Sequence, residues 1–202
     1  ASMGGSQIWL EVNEEMTVDE LLRASVIASA NDATVALAEA VAGSEDAFVR
    51  LMNEKAAALG MKNTTFVNAC GLDADGHLTA ARDVAIMSSA LIKHSLIKKY
   101  STVWMDALRD GKSELVNTNK LVRYYSGATG LKTGTTSKAG CCVSATAERD
   151  GMELVAVVMG GETSNERFTG AKKLLDYGFA NFGLYKKEAQ ELSPICVEGG
   201  RE

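Results

Sequence analysis

Residues 141–159 read CCVSATAERDGMELVAVVM, and this stretch decides the architecture. Cys141 to Glu148 and Met152 to Met159 are β-rich runs, and Arg149, Asp150 and Gly151 between them form a turn, so the stretch predicts a central antiparallel hairpin. Upstream of it, Leu115 to Val122 and Gly130 to Thr135 read as short extended segments separated by the glycine-rich Ser126 to Gly130, which places the start of the sheet after about Gly111. Downstream, Asn165 to Phe182 returns to helical spacing through Phe168, Leu174, Leu175 and Phe179, a helix expected to pack across the sheet.

The half before the sheet is mainly helical. From Thr17 to Ala42 apolar residues recur at helical spacing, with Thr17 and Glu20 forming a capping box, and the pattern breaks at Ser29, Ala30 and Asn31. Two helices joined by a short polar turn are expected there, with the turn's side chains free to reach a cleft. A third helix is predicted from about Ser44 to Leu59, stopping at Gly60, and a fourth from about Thr79 to His94. From Tyr185 onward the chain holds its only proline, Pro194, and ends near Gly199 and Gly200; this tail reads as a linker or the start of a β-rich second domain, leaving residues 1–184 as the main domain.

At 202 residues the chain is long enough for one domain with a core of its own. Its 26 acidic and 21 basic residues are scattered, with no basic stripe to neutralise a phosphate backbone, so nucleic acid is not an expected partner. No apolar run reaches bilayer length, and the opening residues 1–7 lack the pattern of a secretion signal. Cys70, Cys141, Cys142 and Cys196 form no C-x-x-C pair and the two His are far apart, so no metal and no cofactor are expected. In a strand, Cys141 and Cys142 point to opposite faces, which favours small packing residues over a redox pair.

The element richest in chemistry is Lys132-Thr133-Gly134, followed by Thr135, Thr136 and Ser137 on a predicted exposed sheet edge. A lysine ammonium there supplies a fixed charge for a substrate carboxylate, and the Thr133 and Thr135 hydroxyls can donate to the same group. Gly134 leaves the strand bare, so an extended peptide can pair with its backbone. Alone, the tripeptide equally describes a surface lysine before a turn; its context is Ser29-Ala30-Asn31 on the helical half. The Ser29 hydroxyl can relay a proton toward a leaving amine, and the Asn31 amide can donate to a substrate carbonyl and accept from a lysine, although the two residues by themselves also read as a helix cap.

Taken with Asp32-Ala33, Gly71-Leu72-Asp73, Ala81-Arg82-Asp83, Asn117-Thr118-Asn119, Thr129 to Thr136 and Val158-Met159-Gly160-Gly161, these elements make the chain resemble the D-alanyl-D-alanine carboxypeptidases, from roughly Trp9 to Phe182. The resemblance implies an α/β (α+β) fold of the β-lactamase and transpeptidase type, a helical subdomain beside an antiparallel sheet covered by helices, with the site in the groove between. It further implies that Lys132, Thr133, Gly134 and Thr135 face the carboxylate of a peptidoglycan stem peptide ending in D-Ala-D-Ala. Ser29 would take part in proton transfer, Asn31 would orient substrate or the catalytic lysine, and the Thr135 backbone N–H would supply half an oxyanion hole. Arg167 is either a further carboxylate contact or an exposed helix arginine. β-Lactam antibiotics would be trapped by the same nucleophile, and the place of action would be the bacterial cell envelope.

The family's nucleophile lies in an S-x-x-K motif ahead of S-x-N, the lysine one turn from the serine so that it can act as base. None of the 28 residues before Ser29 supplies it, and Ser95-Leu96-Ile97-Lys98 fits the letters in the wrong place. The expectation is a truncated chain that forms no acyl-enzyme by itself. Two other readings compete: a class A β-lactamase, whose E-P-x-x-N loop is absent between S-x-N and KTG, and a non-catalytic module that binds peptidoglycan peptides.

Overall fold

A computed structural model describes residues 4–185. The expected linker lies outside the described residues, apart from Tyr185. Helix α1 (Val18–Arg23) begins with the anticipated capping box: the Thr17 hydroxyl accepts from the Glu20 N–H at 3.2 Å, and the Glu20 carboxylate accepts from the Thr17 N–H at 2.8 Å. The helix then widens into a π-helical turn, Ala24–Ala28, which Ser29 ends in a left-handed conformation. Helix α2 (Asn31–Ala42) starts directly afterwards and stops at Gly43, so Ser29 to Asn31 is the junction expected. Asp32 in its first turn accepts from the N–H groups of Ile8 (3.2 Å) and Leu10 (3.0 Å), tying the entering chain to the helix.

Helix α3 (Glu45–Ala58) is capped by the Ser44 hydroxyl. A loop over residues 66–77 follows, closed at its base by paired hydrogen bonds between Thr65 and Leu78. Helix α4 (Ala81–Leu91) is shorter than the predicted span, because Ala80 is extended and Ile92 already caps the other end. Helix α5 (Ser95–Ser101) comes next. Strands β1 (Met105–Leu108) and β2 (Ser113–Val116) pair as a small antiparallel ladder, of which β1 was not foreseen.

The expected extended segment from Leu115 to Val122 is corrected: the strand ends at Val116, and Leu121–Tyr124 is a helical turn, α6. The reason lies in two asparagines. Asn117 Oδ1 accepts from the Asn119 N–H at 2.9 Å and Asn119 Oδ1 from the Leu121 N–H at 3.1 Å, so side chains take the place of a strand partner.

The main sheet consists of β3 (Ala128–Thr136), β4 (Gly140–Arg149) and β5 (Met152–Gly161) in the order β3-β4-β5, all antiparallel. Asp150 and Gly151, both with positive φ (51° and 79°), form the two-residue turn between the paired Arg149 and Met152. That turn shape suits the right-handed twist of the strands. Along β4, Val143, Ala145 and Ala147 face Phe168, Ala171 and Leu175 of helix α7 (Ser164–Asn181), while Ser144 faces the other way and bonds Ser88 of α4 at 2.7 Å. Helices therefore cover both faces of the sheet, as expected.

Two separate apolar clusters result. One joins Ile8, Leu21, Ala24, Ile27, Ala30 and Ala33 to Leu108 and Leu115 of the small ladder, and the other lies between the main sheet and α7. The seam between two independently packed bodies is where a groove can stay open without breaking either core.

Candidate active site

A groove of about 590 Å³ opens along that seam, and Ser29, Asn31, Lys132, Thr133, Gly134, Thr135 and Arg167 all line it. The structure thus brings these seven residues together, whereas Ser137, which follows Thr136 in sequence, does not line the groove. Ser29 arrives there through an unfavourable backbone: φ 61° and ψ 37° crowd the Cβ of a non-glycine residue. The π-helical turn before it holds it, with both the Ser29 and the Ala30 N–H donating to Ala24 O.

Lys132 comes from β3 and spans the groove. Its ammonium donates to Ser29 Oγ at 2.6 Å and to Thr133 O at 3.0 Å. Burial, with a smaller contribution from the like charge of Arg167, lowers its pKa to about 8. Because Ser29 Oγ accepts from the lysine, its own O–H remains free to donate into the groove.

Arg167, on the first turns of α7, is 8% exposed, which rules out the exposed-arginine alternative. Its guanidinium donates to Gly134 O (3.0 Å), Thr135 Oγ1 (2.8 Å), Cys142 O (3.3 Å) and Ser164 Oγ (3.2 Å). All are neutral oxygens. Neither Lys132 nor Arg167 has a carboxylate partner among the described residues, so two cations share one partly enclosed site with no counter-charge.

Thr133 is buried and its hydroxyl donates to Thr118 Oγ1 at 2.7 Å, so in this arrangement its proton is committed inward. Thr135, exposed on the same strand, accepts from Arg167 and keeps its own proton for another partner. Gly134 is exposed, and a Cβ built on it would meet no atom within 4 Å; the fold does not need glycine here. Asn31 donates through Nδ2 to Gly4 O at 2.9 Å, while its own N–H donates to Ser6 O at 2.8 Å.

Several groove residues escaped the reading of the sequence as individuals. Thr118 sits in the Asn117-Thr118-Asn119 element, whose asparagines hold it in place. Leu72 sits in the Gly71-Leu72-Asp73 element, while Gly5, Ser6 and His77 also line the groove and nothing in their local spacing announces it. Ser95 and Lys98 lie on α5 and do not line it; Lys98 pairs instead with Glu148 (2.8 Å) and Glu153 (3.1 Å). Cys70, Cys141 and Cys142 are free thiols, and Cys196 lies outside the described residues.

A helical subdomain facing an antiparallel edge strand across a cationic groove is the penicillin-binding, transpeptidase-type fold. Penicillin binding protein 5 of Haemophilus influenzae superposes with a TM-score of 0.83 at 36% identity, covering 88% of this chain and 52% of that one. Penicillin-binding protein D2 of Listeria monocytogenes, in its ampicillin-bound form, gives 0.79 at 34% identity over 88% and 74%. Residues 1–163 match the peptidase S11 family of D-alanyl-D-alanine carboxypeptidases, and the chain belongs to that family. The carboxypeptidase DacF of Bacillus subtilis is 46% identical over 100% of the chain and 53% of its own length. The chain thus spans about half the length of the curated relatives it matches.

Proposed function

We propose that this chain carries the carboxylate-binding and proton-relaying part of a serine-type D-alanyl-D-alanine carboxypeptidase. The observation behind this reading is the 2.6 Å contact between Lys132 and Ser29, which joins the two halves of the molecule where Lys132 and Arg167 have no carboxylate partner among the described residues. A peptide ending in D-Ala-D-Ala would lie extended along the open end of β3, over Gly134. Its terminal carboxylate would take hydrogen bonds from Thr135 Oγ1 and the charge of Lys132 and Arg167.

The nucleophilic serine yields its proton to the lysine of its S-x-x-K motif as it adds to the scissile carbonyl, the Thr135 N–H stabilises the oxyanion, and the C–N bond breaks as the departing amine of D-alanine takes a proton. Ser29 is placed to pass that proton, because Lys132 supplies a proton to its oxygen as it gives one up. Water then hydrolyses the acyl-enzyme. Asn31 would orient the substrate amide. The S-x-x-K letters of this chain fall on α5, outside the groove, so the reading assigns the nucleophile to a segment other than those described. By the same logic the carboxylate of a β-lactam occupies the place of the peptide carboxylate, and the enzyme works at the cell envelope.

Intact-mass measurement after incubation with penicillin tests this. The 202-residue chain is expected to remain unmodified, and the same chain joined to its own encoded S-x-x-K segment to gain one adduct. No adduct on either would favour a peptide-binding module, and an adduct on the chain alone would restore Ser95. Calorimetric binding of a D-Ala-D-Ala peptide gives a second check. Lys132 is charged below its pKa of about 8, so affinity should fall as pH rises through that value. Lys132→Met should remove both the pH dependence and about tenfold or more of the affinity.

A further inference from the structure

The loop over residues 66–77 belongs to the helical half, yet its tip crosses to the sheet. Its base is fixed by the Thr65–Leu78 bridge and by the Phe66–His77 ring contact, edge to face at 5.9 Å. Its ascending limb is knotted by Asn68, whose Oδ1 accepts from the N–H groups of Gly71 (2.7 Å) and Leu72 (3.1 Å) and whose Nδ2 donates to Leu72 O (2.9 Å). Glu45 of α3 accepts from the Ala69 N–H at 2.9 Å, so this limb is anchored to the helical body. At the tip the partners are all on the turn between β3 and β4. Asp73 Oδ2 accepts from the Ser137 hydroxyl at 2.9 Å and from the Lys138 N–H at 3.2 Å. Lys138 also pairs with Asp75 at 3.2 Å, but both side chains are largely exposed and such a pair adds little. Leu72 lines the groove, as do Thr135 and Thr136 at the end of β3.

We propose that Asp73 is a positioning residue that fastens this loop across the groove as a strap, enclosing an extended peptide upstream of its two terminal residues. The inference rests on the reading of the groove as a peptide site. A short ligand needs only Lys132, Thr135 and Arg167, whereas a longer one must pass between Leu72 and the end of β3. The depressed carboxyl pKa of Asp73, caused first by the Thr136 hydroxyl, agrees with a carboxylate held ionised by these donors.

Two measurements on Asp73→Ala and Asp73→Asn test it. Hydrogen exchange read by mass spectrometry should be about tenfold faster at residues 69–76 and 136–139 in Asp73→Ala, unchanged in β5 and α7, and intermediate in Asp73→Asn, which keeps one acceptor oxygen. Unchanged exchange in the loop, or faster exchange throughout the chain, overturns the proposal. Binding of a pentapeptide ending in D-Ala-D-Ala should weaken about tenfold in Asp73→Ala, while that of the D-Ala-D-Ala dipeptide changes less than twofold. Equal weakening of both would mean that Asp73 acts only through general stability, and overturns the strap. If the unaltered chain binds neither peptide, the reading of the groove fails, and the exchange pattern still decides whether the loop is latched.

Discussion

Gly134 separates what the fold requires from what a ligand requires. Most glycines with a clear structural task here have positive φ or a close neighbour, as Gly127 does with Glu148 O 2.5 Å from its missing Cβ. Gly134 has neither. Gly134→Val should therefore leave the melting temperature within about 2 °C of the parent, because exposed strand positions accept β-branched residues. Peptide binding should drop by about tenfold or more, because the new side chain occupies the path along β3. A large loss of stability in calorimetric melting would show that glycine serves the fold after all. Ser29 shows the converse case: the sequence marked it as a candidate proton relay, but gave no sign of its left-handed backbone, since only the packing of the π-helical turn imposes it.

Helix α7 is the element on which the sheet depends. It places Phe168, Ala171 and Leu175 on β4 and β5 and carries Arg167 to the groove from the same face, so packing and charge arrive together. Leu175 is 1% exposed. Leu175→Ala should cost about 2–5 kcal/mol in urea unfolding, and a value below about 1 kcal/mol would mean that the helix does not hold the sheet as described. The helical period of this segment and the two β-rich runs of the central hairpin were both readable in the sequence, and both formed. Strand β1 was not readable, because Met105 to Leu108 is a short segment that becomes a strand only through its partner β2. A local competition instead shortened the segment after Leu115, where asparagine side chains replaced a ladder.

As a whole the molecule is two cores with a groove at their junction, and its integrity depends on cross-links far apart in sequence. Arg109, in the turn after β1, donates to Glu14 through Nε (2.7 Å) and Nη2 (2.9 Å), and through Nη1 to Ile8 O (2.8 Å) and Ser113 Oγ (2.9 Å). It thereby pins the segment that leads to Asp32 and the groove. The hydrogen bond from Arg109 is the main cause that lowers the Glu14 pKa to about 2. The folded carboxyl thus binds its proton less readily than the unfolded one, so its contribution is complete above about pH 4.5 and is lost as pH falls toward 2. Arg109→Met is expected to lower stability at pH 7 by about 2 kcal/mol, with the gap to the parent narrowing between pH 4.5 and 2 to the remainder contributed by the bonds to Ile8 O and Ser113 Oγ. A gap independent of pH in thermal melts would dissociate the effect from Glu14.

Helices α1 to α4 and α7, the central hairpin, the capping box and the pair of elements Ser29-Ala30-Asn31 and Lys132-Thr133-Gly134 were legible in the sequence alone, because each depends on periodicity, turn chemistry or residues adjacent in the chain; α5 and α6 were not. Tertiary structure alone decided that Arg167 is buried, that Thr133 turns to Thr118, and that the loop bearing Asp73 reaches the β3–β4 turn. Those contacts join residues far apart along the chain, and a hydrogen bond between such residues leaves no period or local pattern to read; it exists only once two separate cores have set the distance between them.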